Sequence, residues 1–301
     1  MTIVATMQII LVMVLWAACF PLITAGIEYA PHLTFAALRA VFAGLTLTGL
    51  AFALRRPLPK GLQNWLLIAL VGFGATSLGF LGMFHAAELV SPGIATVITN
   101  TQPLLAAVLA GVILRERLTG RGRMALLLSF FGILLIASPR LLDGGRDYYI
   151  LGVSYILLAA VGITVSNVVI KRISGRVDAL MAMGLQMLIG SLPLMTGAWI
   201  TEDPATIQWS STFMLVLLAL SLPGTALVYW IWFSVLERVP LNRANAFSFL
   251  IPIFGLAMGM LFYDETLERL QMAGFVLTVL GVTLITRGGI ESAETGDEMQ
   301  S

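Results

Sequence analysis

Along the chain, apolar runs of roughly 20 residues alternate with short clusters of charge, proline and glycine, and that run length crosses the hydrocarbon core of a bilayer as a helix. Read this way, the pattern predicts spans at Gln8–Ile27, Leu33–Leu54, Asn64–Ala87, Pro92–Leu114, Met124–Ser138, Ile150–Ile170, Ala179–Ile200, Phe213–Leu236, Ala244–Phe262 and Met272–Thr286. The connections are short and leave no room for a soluble domain. The expected fold class is an all-α membrane protein of about ten transmembrane helices. Met1 to Gln8 has no basic leader and no cleavage segment follows Ile27, so the first run is expected to stay as a span. Residues 290–301, acidic and rich in small side chains, are expected to form a disordered cytoplasmic tail.

Charge then orients the spans, because basic residues resist translocation and mark the cytoplasmic face. Of the 17 lysines and arginines, all but Arg39, Arg140, Arg146 and Arg269 fall in the even-numbered loops or after the last span. The odd-numbered loops hold Glu28, Glu88, Glu202, Asp203, Asp264, Glu265 and Glu268 instead. Both termini are therefore expected to be cytoplasmic, in a multi-pass protein of the cell (inner) membrane.

Sliding the chain on itself by 149 positions superposes Glu88 on Glu237, Pro103 on Pro252, Glu116 on Glu265 and Gly132 on Gly281. Five spans per copy is an odd number, so the second copy enters the membrane from the opposite side. The basic turn from Arg115 to Arg123 and its acidic counterpart from Asp264 to Leu270 agree with that. The expected organisation is two inverted five-helix repeats, residues 1–142 and 143–289, around a central cavity.

Composition narrows the function classes. The 301 residues are 58% hydrophobic and 11% charged with a formal net charge of +1, and the mean hydropathy is +0.95. The partners this implies are the lipid bilayer and a small molecule. No basic stripe suits nucleic acid. One cysteine, Cys19, and two histidines, His32 and His85, build neither a disulfide nor a Cys/His metal cluster, and no P-loop is present, so no cofactor is expected. The sequence leaves the oligomeric state open, monomer or larger.

Several stretches in this order and doubling resemble the drug/metabolite transporter superfamily, in its ten-span branch with two EamA-type domains. They are LWAACFPLI in the first span, PHLTFAALR from Pro31 to Arg39, TNTQPLLAAVLAGVILRERL from Thr99 to Leu118, and FLIPIFGLAMGMLFYDETL from Phe249 to Leu267. The resemblance implies secondary export of small metabolites by alternating access, without ATP, and overall likeness is greatest to exporters of aromatic and other neutral amino acids. Efflux of flat organic cations is the alternative. An intramembrane enzyme or a channel is a reading of a different class; the enzyme would require a nucleophile–base or metal constellation within the spans. The second copy carries Gln186 where Arg39 would repeat.

Substrate sites in inverted-repeat folds sit near the midplane, where helices are interrupted and polar side chains face inward. Pro103 and Pro252 are the repeat-equivalent helix breaks, with a plain packing kink as the other reading. Asn100 and Gln102, in the polar run Thr99–Gln102, can each donate and accept hydrogen bonds; Asn167 with Ser166, and Asn245, are their counterparts in the second half. His85 is a cavity candidate or a packing histidine. Trp16, Phe20, Tyr229, Trp230, Trp232 and Phe249 offer aromatic surface, Trp16 and Tyr229 being mid-span, although tryptophan and tyrosine also serve as interface anchors. Arg39 is expected to have an acidic or backbone partner, Glu28 or Glu88 being in reach, as an outer-gate pair rather than a substrate-binding group. Gly255 and Gly259 have the spacing that lets helices approach closely.

Overall fold

A computed structural model of the chain describes residues 2–102, 105, 119–142, 146–239, 244, 247–248 and 250–286. Helices α1 (Ile3–Ala17) and α2 (Cys19–Ile27) continue one another as the first span, and α3 (His32–Ala53) is the second. The third joins α4 (Leu62–Val71) to α5 (Gly79–Ala87) through a π-helical segment, Gly72–Leu78. Then come α6 (Pro92–Thr99), α7 (Gly120–Leu142), α8 (Arg146–Ile173) and α9 (Ala179–Thr201). The eighth span repeats the plan of the third: α10 (Ser211–Ser221), a π-helical segment at Leu222–Leu227, and α11 (Val228–Arg238). Helices α12 (Leu250–Phe262) and α13 (Arg269–Thr286) complete the described chain.

Among the described residues, six stretches, Ile3–Ile27, His32–Ala53, Leu62–Ala87, Tyr148–Ile173, Ala179–Thr201 and Ser211–Arg238, are long and apolar enough to cross a membrane. The fourth and ninth predicted spans are described in part, as α6 and α12. Helices win because hydrocarbon offers backbone N–H and C=O groups no partner, so each must be bonded within its own segment. Their ends follow from local chemistry. Asp178 accepts from the backbone of Leu180 and Met181 at 3.0 Å, Ser210 Oγ accepts from Phe213 at 3.1 Å, and Pro92 opens α6 where no N–H is required. Gly61 and Gly175, at φ of 81° and 79°, make turns that a side chain would strain. Phe52, Leu66, Phe73, Phe130 and Leu215 are more than half exposed, an apolar outer face suited to lipid.

The two halves meet on a symmetric seam of small residues. Helix α7 packs along α13 so closely that a Cβ added to Gly132 would lie 2.7 Å from the Gly274 carbonyl, and one added to Gly281 would lie 2.7 Å from the Ala125 carbonyl. These two contacts are repeat images of each other. At the centre Ser129 Oγ donates to the Thr278 carbonyl at 3.5 Å, between residues 149 positions apart. Contacts advance along α7 as they retreat along α13, so the two helices are antiparallel. Since the helices are equivalent elements of the two repeats, the repeats are inverted. The same relation holds for α3 against α9, where Gly44 abuts Leu188 and Gly184 abuts Thr48. Without a hydrophobic drive between helices in lipid, such close backbone approach supplies the packing.

One end of the bundle gathers Glu28, Glu88, Glu202 and Glu265, linked by bonds such as Gln208 N–H to the Tyr29 carbonyl at 2.8 Å. The other end gathers Arg55, Arg56, Lys171 and Arg176, with Arg56 3.8 Å from Asp178.

The seam yields two expectations. Gly281→Val drives a methyl group against the Ala125 backbone and lowers stability by about 1–3 kcal/mol, read as a lower melting temperature in detergent; Gly49→Ala, inside α3 with nothing within 4 Å of the new Cβ, does not lower it. In intact membranes, the thiols of Arg121→Cys and Arg269→Cys react with an impermeant reagent from opposite sides, and reaction from one common side would refute the inversion.

Candidate functional site

Between the halves lies a cavity with about 90 Å³ of space open to water, lined from both repeats. Its aromatic wall comes from Trp16 on α1 and from Tyr229 and Trp232 on α11. Trp16 meets Trp232 edge-on at 5.1 Å and Tyr229 at 6.2 Å, favoured geometries for aromatic pairs. Trp232 donates its indole N–H to Asn167 Oδ1 at 3.1 Å, which fixes the ring and orients the amide. Residues 229 and 232 are three apart and so share one helix face.

The polar wall is a helix interruption. Helix α6 ends at Thr99, and Asn100 and Thr101 turn out of helical register. The hydroxyls nearby are satisfied by backbone, Thr99 Oγ1 donating to Ala95 at 2.8 Å and Thr101 Oγ1 to Ile98 at 2.8 Å. Asn100 is buried, and its Nδ2 finds no partner among the described residues. Gln102 also lines the cavity, and its carbonyl accepts from Thr164 Oγ1 at 3.4 Å. In the second repeat the equivalent turn is Phe247–Ser248, and Ser248 faces the same cavity with Oγ unpartnered among the described residues. The interruption thus precedes Pro252 rather than coinciding with it. Pro252 sits in the first turn of α12, where a missing N–H leaves no bond unmade. Pro103, Asn245, Phe249, Glu116 and the tail lie outside the described residues.

Arg39 departs from its expected partners. It is 2% exposed, lines the cavity and touches no carboxylate among the described residues. Its Nε donates to Thr225 Oγ1 at 2.7 Å and its Nη2 to Cys19 Sγ at 3.4 Å, while the guanidinium lies 4.2 Å from the centroid of Phe80. Thr225 belongs to the π-helical segment Leu222–Leu227, a geometry frequent at functional sites.

Glu88 and His85 form a separate cluster at the acidic end. His32 Nδ1 lies 2.8 Å from Glu88 and 3.5 Å from Glu202, and its Nε2 is 3.1 Å from His85 Nε2. His85 bonds the Leu81 carbonyl at 3.2 Å and stacks on Tyr155 with centroids 4.6 Å apart, outside the cavity lining. Glu202 accepts from the N–H groups of Leu33 and Thr34 at 2.8 and 2.7 Å and so caps α3. Glu265 caps α6 in the same way, accepting from Gly93 N–H at 2.8 Å. Glu28 is exposed; burial of Tyr263, reinforced by the Glu28 and Glu265 carboxylates, pushes that phenol above its ordinary pKa. Trp230 is 39% exposed on the opposite face of α11 from Trp232 and does not line the cavity.

The sequence profile of the EamA-like transporter family matches residues 4–138 and, a second time, residues 150–287. The chain belongs to the EamA-like transporter family. As such it is a membrane transporter and not an enzyme. Among its relatives, a WAT1-related chloroplastic protein of Arabidopsis thaliana is 33% identical over 83% of this chain, which spans 61% of that relative's length. A protein of Escherichia coli named "Probable amino-acid metabolite efflux pump" is 29% identical over 91% of both chains. An uncharacterized transporter of Synechocystis is 30% identical over 84% of this chain and 80% of its own. A solved crystal structure aligns over 100% of both chains with a TM-score of 0.68 at 17% identity, a likeness of fold.

In this EamA-like transporter the structure gathers Trp16, Asn100, Gln102, Asn167, Tyr229 and Arg39 at one cavity and sets His85, Glu28, Glu88 and Trp230 apart from it. It adds Thr225 and Phe80, which hold Arg39, and the acidic-end pair His32 and Glu202. The three-residue spacing from Tyr229 was the available signal for Trp232 over Trp230. Glu202→Ala removes both bonds to the N-terminus of α3 and lowers stability by about 1–2 kcal/mol, the usual worth of a helix cap, read as a lower melting temperature; Asp203→Ala, on an exposed loop, has a smaller effect.

Proposed function

We propose that the protein is a secondary exporter of neutral and aromatic amino acids, working by alternating access between two inverted halves, 1–142 and 143–289. In this reading the acidic end faces outward and both termini face the cytoplasm, in the inner membrane, following the rule that basic loops stay inside. The observation that carries it is the cavity itself. It lies where both repeats meet, beside two interrupted helices, and pairs aromatic rings with hydrogen-bonding amides. A flat side chain fits against Trp16, Tyr229 and Trp232, and polar ends fit against Asn100 and Gln102. The Escherichia coli relative's printed name supports the same substrate class. Efflux of bare organic cations suits the cavity less well, because the charged residue among its described lining is Arg39.

Counterflow decides between these readings. Proteoliposomes loaded with unlabelled phenylalanine are expected to accumulate labelled phenylalanine with saturation, as a carrier does and a channel does not. Trp16→Ala and Tyr229→Ala raise the half-saturating concentration about 5- to 10-fold, the worth of an aromatic contact of about 1–1.5 kcal/mol. Trp230→Ala leaves it unchanged. Flux of flat cations without flux of amino acids would overturn the proposal.

A further inference from the structure

We propose that Arg39 is the docking point for an anionic group of the transported molecule, a carboxylate, so that the cavity selects substrates that carry one. The inference rests on reading the cavity as the transport site. A guanidinium stays protonated under all ordinary conditions, and a buried charge without a counter-charge inside a membrane protein is expensive. Among the described residues, a hydroxyl, a thiol and the aromatic faces of Phe80 and Phe84 are what the protein offers it. None carries a full negative charge. The third nitrogen, Nη1, is buried and has no hydrogen-bond partner among the described residues.

The second repeat supplies an internal control. The position equivalent to Arg39 is Gln186, and the residue equivalent to Thr225 is Thr76, in the other π-helical segment. Thr76 Oγ1 donates to Gln186 Oε1 at 2.8 Å, fully buried, as Arg39 Nε donates to Thr225. Tying a long helix to the π-helical segment of the other repeat is therefore done as well by a neutral amide. Gln186 does not line the cavity and Arg39 does. The positive charge is surplus to that tie and belongs to the cavity wall.

A second donor supports the assignment. Asn100 Nδ2, also buried and unpartnered among the described residues, lines the same cavity, so two donors await an acceptor there. A carboxylate presents two acceptor oxygens and forms strong, charge-assisted bonds with a guanidinium. Among the described lining residues there is no acid to receive an ammonium group, which falls instead to the faces of Trp16, Tyr229 and Trp232. A zwitterion is accommodated; a molecule bearing positive charge alone is repelled.

The test uses purified full-length protein and Arg39→Gln, which copies the amide present at Gln186 and keeps a group able to bond Thr225; an unchanged elution profile and helical spectrum certify its fold. Thermal stabilisation is titrated with phenylacetate, phenethylammonium, phenylalanine and phenylalaninamide, and phenylalanine counterflow is measured in parallel. The wild type is expected to respond to phenylacetate and phenylalanine at concentrations at least about tenfold lower than to the two cations, and Arg39→Gln to lose that preference. Equal response to phenylacetate and phenethylammonium, response to neither, or a preference retained in Arg39→Gln overturns the anchor, whether or not counterflow is seen. Arg39-dependent phenylacetate binding without phenylalanine counterflow upholds the anchor and removes the amino-acid reading. If chloride alone stabilises the wild type and phenylacetate adds nothing in its presence, Arg39 holds a resident counter-ion and the proposal falls.

Discussion

Helices surrounded by lipid gain little from hiding apolar side chains, so the halves of this protein must be held together by how closely their backbones approach. The seam of Ala125, Ser129 and Gly132 against Gly274, Thr278 and Gly281 is where that approach is most symmetric. At its centre Ser129 meets its own repeat image, Thr278, and on either side Gly132 meets Gly274 as Gly281 meets Ala125. A pair of antiparallel images also fixes the axis about which every other span is placed. The cavity between the halves follows from that arrangement, as do the paired interruptions that border it.

Irregular backbone at membrane depth is tolerated where protein or a cavity surrounds it. The two π-helical segments obey this rule, and each carries a threonine that bonds a long helix from the opposite repeat, Thr76 to Gln186 and Thr225 to Arg39. Glycines make the approach possible. A Cβ on Gly72 would lie 2.4 Å from the Gln186 carbonyl, and one on Gly74 would lie 2.7 Å from that of Gly162. Local geometry, cross-repeat bonding and the position of Arg39 at the cavity are thus one construction.

How much of this was readable beforehand depended on the kind of signal. Span ends were legible because charge and proline interrupt apolar runs, and the repeat was legible because Glu88, Gly132 and their images recur at one offset. The aromatic and amide residues Trp16, Tyr229, Asn100, Gln102 and Asn167 were legible as polar or flat groups in mid-span. What escaped depends on direction in space. A π-helical turn keeps the composition of an α-helix, so Gly72–Leu78 gives no periodic signature. Burying Arg39 alone is unfavourable, so the sequence predicts an acidic or backbone partner; the partners it has, Thr225, Cys19 and Phe80, come from three separate spans with no sequence pattern joining them. Glu88 instead meets His32, which lies at the first position of α3 and reads from sequence as a loop residue.

The described hydrogen bonds between the halves are stronger at one end of the bundle than at the other. At the acidic end, carboxylates of the second repeat cap helices of the first, Glu202 on α3 and Glu265 on α6. The Glu202 side chain is only 8% exposed. At the basic end the cap on α9 is local, from Asp178, and the described ion pair between the halves is Arg56 with Asp178 at 3.8 Å, its arginine half exposed. Exposed pairs of this kind are worth about 0–1 kcal/mol, whereas a buried carboxylate on backbone N–H groups makes charge-assisted bonds about twice as strong as neutral ones. The stronger cross-repeat latches therefore lie at the acidic end. Glu202 and Glu265 thus tie the second repeat to helix N-termini of the first at the acidic side, whereas at the basic side the halves meet, among the described residues, through one weak ion pair and the apolar packing of Leu47, Ala51 and Ile68 with Ile170, Ile173 and Leu180.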